Sequence, residues 1–337
     1  MVITQTPLRM SFFGGGTDFP AFYNEHGGSV ISTSFDKYCY VTVKHLPPFF
    51  DYSTQITYGV IERVNSTDEI KHPSVREAMK YLDMRDIRLV YEADLPARSG
   101  LASSSAFAVG MLNAFHLLKG KYVSQRRLAE EAIYLERTLC AESGGVQDQI
   151  ACAVGGFNRI DFSADGFVVN PVIIGIDRKK ALNSKLMLFF TGFSRYSSEI
   201  SVKQEKAIAD KTAELLEMKQ LVNEAEKILT SKCDLDDFGR LLDHSWQIKR
   251  GLTSEISTDS IDEMYARAKK NGAVGGKLLG AGGGGFLLIY ADEEVQPKVR
   301  EALSDLLYVP FEFETGGTRV MYYNDEKYEL PEEKEGK

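Results

Sequence analysis

Four stretches of the chain combine glycines with side chains able to do chemistry. In the first, Pro7-Leu8-Arg9-Met10-Ser11-Phe12-Phe13 runs into Gly14, Gly15 and Gly16 and then Thr17 and Asp18. Consecutive glycines after a strand open backbone conformations and close approaches denied to other residues. A guanidinium just before such a loop suits a carboxylate or a phosphate. The plainer reading is a glycine turn capped by Asp18. In the second stretch, Pro96-Ala97-Arg98-Ser99-Gly100-Leu101-Ala102 leads into Ser103, Ser104 and Ser105, where an apolar helix begins. Free N–H groups and the macrodipole at that helix start attract anions, and serine hydroxyls can add hydrogen bonds or reach a bound Mg²⁺. A serine-capped helix alone is commonplace, but the small-residue loop before it points to phosphate.

The third stretch holds Glu136 and Asp148, twelve residues apart across Gly144-Gly145. Two carboxylates brought together by such a turn would suit one metal ligand and one group facing a substrate hydroxyl. Taken alone, a glutamate on a helix is ordinarily solvated. The fourth stretch, from Gly272 to Phe286, is the richest in glycine. Gly280, Gly282 and Gly285 formally match G-x-G-x-x-G. That run opens into the strand-like FLLIY, however, whereas the dinucleotide fingerprint must open a helix. A Walker A loop fails as well, because Asn271 and Leu278 stand where glycine and a hydroxyl residue are required.

The elements that must position these groups follow from periodicity. Alternating runs at residues 2–8, 29–43 and 87–91 predict strands, and further strand-like pieces lie at 155–162, 167–176 and 184–192. Helices are expected from residue 73, over 103–118, and over 125–139 behind Ser124 as N-cap. Residues 194–271 read as almost wholly helical, followed by strand, glycine loop, strand, helix and two strands ending near Tyr323. The shift to helix-rich sequence sets expected domains of 1–182 and 183–325, with a charged tail over 326–337.

Composition narrows the function classes. The 337 residues carry a net charge of −8 and are 43% apolar, which fits a soluble globular protein and argues against a nucleic-acid or membrane-surface role. No run approaches the ~20 apolar residues of a membrane span, so a cytoplasmic protein is expected. The four cysteines form no C-x-x-C pair and the five histidines never fall at i, i+3 or i, i+4. A disulfide framework or a thiolate or imidazole metal site is therefore not indicated, and a metal would take oxygen ligands.

Taken in order, the four segments resemble those of the GHMP kinase superfamily, which includes galactokinase, homoserine kinase, mevalonate kinase and phosphomevalonate kinase. The likeness spans roughly residues 5–290. It implies an α+β, two-domain GHMP kinase fold: an N-terminal mixed α/β domain with the phosphate loop, and a C-terminal helix-rich, ferredoxin-like α+β domain. ATP and Mg²⁺ are implied with it. The segment from Pro96 matches the family pattern P-x-G-x-G-L-(G/S)-S-S-(A/S), so Pro96, Arg98, Ser99, Gly100, Leu101, Ala102, Ser103, Ser104 and Ser105 are expected at the nucleotide. Arg98 stands where the family usually has glycine, and Ala102 replaces glycine or serine. Gly282 and Gly283 are expected at the nucleotide as well.

Arg9 and Asp18 keep the separation of the arginine and sugar-binding aspartate in the galactokinase-type motif, whose Gly-Glu-His is here Gly-Gly-Gly. The missing glutamate argues against galactose. Glu136 and Asp148 match the Mg²⁺-binding glutamate and the catalytic aspartate in type and spacing. PLRMSFFGGGTDFPAFY, GGVQDQIACAVGGFN, FTGFSRYSSEI and GGKLLGAGGGGF resemble the branch that contains the D-glycero-D-manno-heptose 7-phosphate kinases, with the L-fucokinases as near relatives.

This resemblance implies phosphorylation of the anomeric hydroxyl of that heptose phosphate. Asp148 and Arg9 would be catalytic, Gly14, Gly15, Gly16, Thr17 and Asp18 would hold the sugar, and Ser104 with Glu136 would hold Mg²⁺. Arg195 and Lys203 would meet the phosphate already on the substrate, with Arg159 and Arg178 as further candidates. An L-fucokinase or other sugar-1-kinase is the alternative, since a neutral sugar needs no such cations. A catalytically silent sugar and ATP sensor is another. Small molecules are the expected partners, in a monomer or homodimer.

Overall fold

The computed structural model describes residues 1–97, 99–192 and 197–324. Arg98, Arg195 and the expected tail over 326–337 lie outside the described residues.

Met10, Phe12 and Phe13 continue the apolar pattern of the first strand, which extends beyond residue 8 to span Val2–Phe13. This places Arg9 and Ser11 on the strand itself. The helix Ser103–Leu118 packs on it from the N-terminal half of the chain, and the helices Thr212–Thr230 and Asp236–Arg250 reach it from the C-terminal half. Burial on both faces explains why simple alternation fails here. Along its length the strand pairs antiparallel with Gly28–His45, the second strand of a nine-stranded sheet. The path through that sheet runs 319–323, 2–13, 28–45, 87–93, 54–57 and 61–64. Residues 313–314 and 319–323, which the sequence groups with the C-terminal domain, thus pair with Gly28–His45 and Val2–Phe13.

The second sheet is antiparallel, with strands in the order 307–309, 186–192, 285–290 and 275–278. With the intervening helices this is the β-α-β-β-α-β arrangement of a ferredoxin-like unit, as expected. Its core gathers Met187, Phe189, Trp246, Leu287 and Ile289. Phe238, on the same helix as Trp246, belongs to the other core, where it meets the rings of Phe12 and Phe13 edge-on at 5.4 and 5.1 Å. Burying one such ring contributes about 2–3 kcal/mol.

Two local features shape the site. Ser103–Leu118 is apolar on nearly every face and runs through the core. Ala102 before it has a left-handed φ of 63°, and no side chain caps the helix start. The segment expected as one helix over 125–139 divides into an α-helix, Gln125–Ile133, and a π-helical stretch, Tyr134–Leu139. Such widened turns recur at functional sites, and this one carries Glu136.

Candidate active site

Gly14 has a φ of +79°, and a Cβ there would sit 1.9 Å from Ser29 O, so only glycine fits. The Thr17 hydroxyl bridges the Gly14 and Ser29 carbonyls at 2.8 and 2.9 Å. Gly14 and Thr17 therefore build the turn and do not line the cleft, while Gly15, Gly16 and Asp18 do. Asp18 is 2% exposed. Its carboxylate accepts from Gly16 N at 2.9 Å and Gln147 N at 3.3 Å. Burial, with Asp148 nearby, pushes its pKa up despite those two N–H donors.

Arg9 donates through Nε to Asp148 Oδ1 at 2.8 Å and pairs with the same oxygen through Nη2 at 2.7 Å. Its Nη1 donates to Gly100 O at 2.8 Å, and its backbone N–H to Leu101 O at 3.3 Å. The strand arginine thus ties the Gly100-Leu101 loop to the helix Gln147–Val154, on whose second residue Asp148 stands. A guanidinium has five N–H donors, so two remain beyond these three bonds.

Ser104 Oγ donates to Glu136 Oε1 at 2.7 Å, and Ser105 Oγ donates to Oε2 at 2.8 Å. Gln149 Nε2 also donates to Oε2. These partners hold Glu136, 1% exposed, against the start of the serine helix. Among the described residues no cluster of three or more His, Cys, Asp or Glu could hold a metal. A hydroxyl beside a carboxylate nevertheless suits a hard cation that takes its other ligands from phosphates and water, so Ser104 and Glu136 fit Mg²⁺.

These groups face one cleft of about 930 Å³. Along one flank, Tyr58 and His72 rings lie 4.8 Å apart, and Tyr91 and Phe107 rings likewise. Gly100, Ala102, Ser103, Ser104 and Ser105 line it, whereas Leu101 is core. The Ser99 hydroxyl is spent on Pro96 O at 2.7 Å. Gly282 and Gly283 pack on Ile256 and Ile200, and Gly280 and Ala281 line the cleft in their place.

Of the cations proposed from sequence for a substrate phosphate, Lys203 pairs with Glu255 at 2.6 Å and Arg159 pairs with Glu226 at 2.7 Å. Arg178 caps the Ile228, Leu229 and Cys233 carbonyls. None of the three lines the cleft.

Among the cleft residues that escape the sequence reading are Ser11, Gln147, Lys249 and Lys277. Ser11 Oγ and Gln147 Oε1 are buried without a hydrogen-bond partner among the described residues. The signals were a serine inside an apolar strand and a polar side chain beside Asp148.

The profile of the GHMP kinases N terminal domain matches residues 71–156, and that of the GHMP kinases C terminal domain matches residues 219–309, together just over half of the chain. The chain belongs to the GHMP kinase family. It is 27% identical to D-glycero-alpha-D-manno-heptose 7-phosphate kinase of Campylobacter jejuni, covering 89% of this chain and 92% of that one. It is 24% identical to the bifunctional fucokinase/GDP-fucose pyrophosphorylase of Arabidopsis thaliana, covering 89% of this chain and 31% of that longer protein. The crystal structure of a D-glycero-D-manno-heptose 1-phosphate kinase from Bacteroides thetaiotaomicron superposes with a TM-score of 0.72, at 23% identity over 96% of this chain and all of that one. Like other GHMP kinases, this phosphotransferase is ATP-dependent. Among the described residues no helix of this GHMP kinase is long and apolar enough to cross a membrane.

Proposed function

We propose that this GHMP kinase moves the γ-phosphoryl group of ATP to the anomeric C1 hydroxyl of D-glycero-D-manno-heptose 7-phosphate, in the cytoplasm. One convergence carries the reading: Arg9 joins Asp148 to the phosphate loop, in the same cleft as the buried carboxylate of Asp18. The likeness to the Campylobacter jejuni enzyme along nearly the whole chain supports the choice of sugar.

The triphosphate lies over the uncapped helix start at Ser103, where free N–H groups and the macrodipole favour anions. When bound, Mg²⁺ neutralises phosphate charge, and Ser104 and Glu136 are the residues that hold it. Phosphoryl transfer passes through a loose transition state, so positioning and charge neutralisation account for most of the rate. Arg9 occupies only Oδ1 of Asp148, and Oδ2 is left to orient the acceptor hydroxyl and receive its proton. Asp18, with the unpartnered Ser11 Oγ and Gln147 Oε1, supplies acceptors and a donor for further sugar hydroxyls.

A neutral sugar such as L-fucose is the second reading, favoured by the engagement of Lys203, Arg159 and Arg178 away from the cleft. Lys211, which lines the cleft and pairs with Glu214 at 2.8 Å, is a cation available to a 7-phosphate. Comparing heptose 7-phosphate with fucose in one ATP-coupled assay separates the two, and phosphorus NMR of the product locates the new phosphate. Preference for the neutral sugar, or a new phosphate away from C1, overturns the assignment.

A further inference from the structure

The cleft contains two buried lysines that none of this chemistry uses. Lys249 lies in the last turn of Asp236–Arg250, continuing the buried stripe of Phe238, Leu242 and Trp246, and is 6% exposed. Its Nζ donates to Gly280 O, and an ammonium has three donors, so two remain. Lys277, on the strand Gly275–Leu278, is 1% exposed and donates to Phe12 O at 2.8 Å. Both line the cleft, and among the described residues neither forms an ion pair with a carboxylate. An unpaired ammonium in a protein interior is costly, and burial, with Lys249 and Arg9 nearby, pushes the Lys277 pKa well down, so the charge to be balanced is that of Lys249. An entering anion offsets it.

The position of Lys249 identifies that anion. The Gly280 backbone that holds it packs against Gly100, where a Cβ on Gly280 would lie 2.4 Å from Gly100 Cα. The Gly100 carbonyl in turn accepts from Arg9. Lys249 and Arg9 therefore reach one backbone crossing from different domains, next to the phosphate loop. A neutral sugar hydroxyl does not balance the buried ammonium of Lys249, whereas phosphoryl oxygens can.

We propose that Lys249 is a further catalytic residue, whose ammonium binds the phosphoryl group as it passes from ATP to the acceptor, with Lys277 as a positioning residue behind it. This rests on the kinase reading above but not on the identity of the sugar. Charge spread over the phosphoryl oxygens in the loose transition state falls between Arg9 and Lys249, each with two N–H bonds to spare. The groups acting on Lys249 are Arg9 on the first strand, Asp18 on the glycine loop and Asp148 on its helix. Lys277 lies close enough to feel its charge. Burial, with Arg9, lowers Lys249 to about 8 in the free protein, against the pull of the two carboxylates.

The test compares the parent with Lys249→Met and Lys249→Arg. The Met variant should lose at least about 100-fold in kcat, within the range for removing one oxyanion donor, with an unchanged or higher melting temperature. The parent kcat/KM should fall as pH rises through about 8, a limb the Met variant lacks. Without any sugar, the Met variant should also lose the parental preference for MgAMP-PNP over MgADP. A Met variant with kcat within threefold of the parent and that preference intact overturns the role of Lys249 and leaves the sugar assignment standing. A parent inactive on every sugar tried, whose Met variant still loses the preference, supports Lys249 and overturns the acceptor instead. Equal losses in Met and Arg variants, with lowered melting temperatures, overturn the proposal in favour of a structural tie to Gly280.

Discussion

The Cα of Gly145 is so close to Asp18 that a Cβ built on it would lie 1.9 Å from Oδ2. The glycine turn before the Asp148 helix is thus one wall of the slot that holds the Asp18 carboxylate. Gly145→Ala should push Asp18 out of line and raise KM for the sugar at least about tenfold, the scale of 1.4 kcal/mol in an equilibrium. KM for ATP should stay within twofold. Steady-state kinetics with each substrate varied checks this, and equal effects on both would place the damage in the fold as a whole.

Asp148→Asn keeps an oxygen for Arg9 to hold and removes the carboxylate we propose receives the proton. We expect kcat to fall about 10²–10⁴-fold, the usual contribution of a positioned base. ATP binding by calorimetry should be unchanged. Activity within a few-fold of the parent would remove Asp148 from the chemistry.

Glu136 is tied to Ser104, Ser105 and Gln149. Glu136→Gln preserves most of the shape and removes the charge. The Mg²⁺ concentration for half-maximal rate should rise at least about tenfold, as expected when a hard cation loses its carboxylate. Titrating Mg²⁺ at fixed ATP reads this, and an unchanged midpoint argues for a purely structural Glu136.

Glu314 sits where the short strand Phe313–Glu314 meets Gly28–His45. Burial raises its pKa, but the Tyr38 hydroxyl, the Gly316 and Thr315 N–H groups and Arg319 together hold it down at about 2. A depressed carboxylate adds stability that is fully present above its ordinary value of 4.5 and is lost as pH falls through about 2. Urea unfolding between neutral pH and pH 2.5 should show part of that decline, on the order of 1–3 kcal/mol in all. Glu314→Gln should flatten it, and an identical slope in both proteins would exclude Glu314 as its source.

Much of this was legible in the sequence, for identifiable reasons. The serine helix begins at Ser103 and ends at Leu118 as expected, because its apolar run leaves no ambiguity of period. Arg9, Asp18, Ser104, Glu136 and Asp148 all line the cleft, since glycine punctuation betrays each loop. The π-helical turn was not legible, because hydrogen bonds from Ser104, Ser105 and Gln149, distant in sequence, hold Glu136 there. Lys249 was hidden for the opposite reason: a lysine on a charged helix reads as solvated until the Phe238, Leu242 and Trp246 stripe is seen to include it.

The strand Arg319–Tyr323 borders the first half of Val2–Phe13, the strand that carries Arg9 further along. A ribosome must therefore synthesise the chain as far as residue 323 before that sheet can close. Pairing of such high contact order forms slowly and late. Until then the strand presents an open edge at residues 2–5, a template for wrong partners. The strand that carries Arg9 thus completes its sheet only with residues 319–323, so a chain terminated before them should not fold into a working ATP-consuming enzyme.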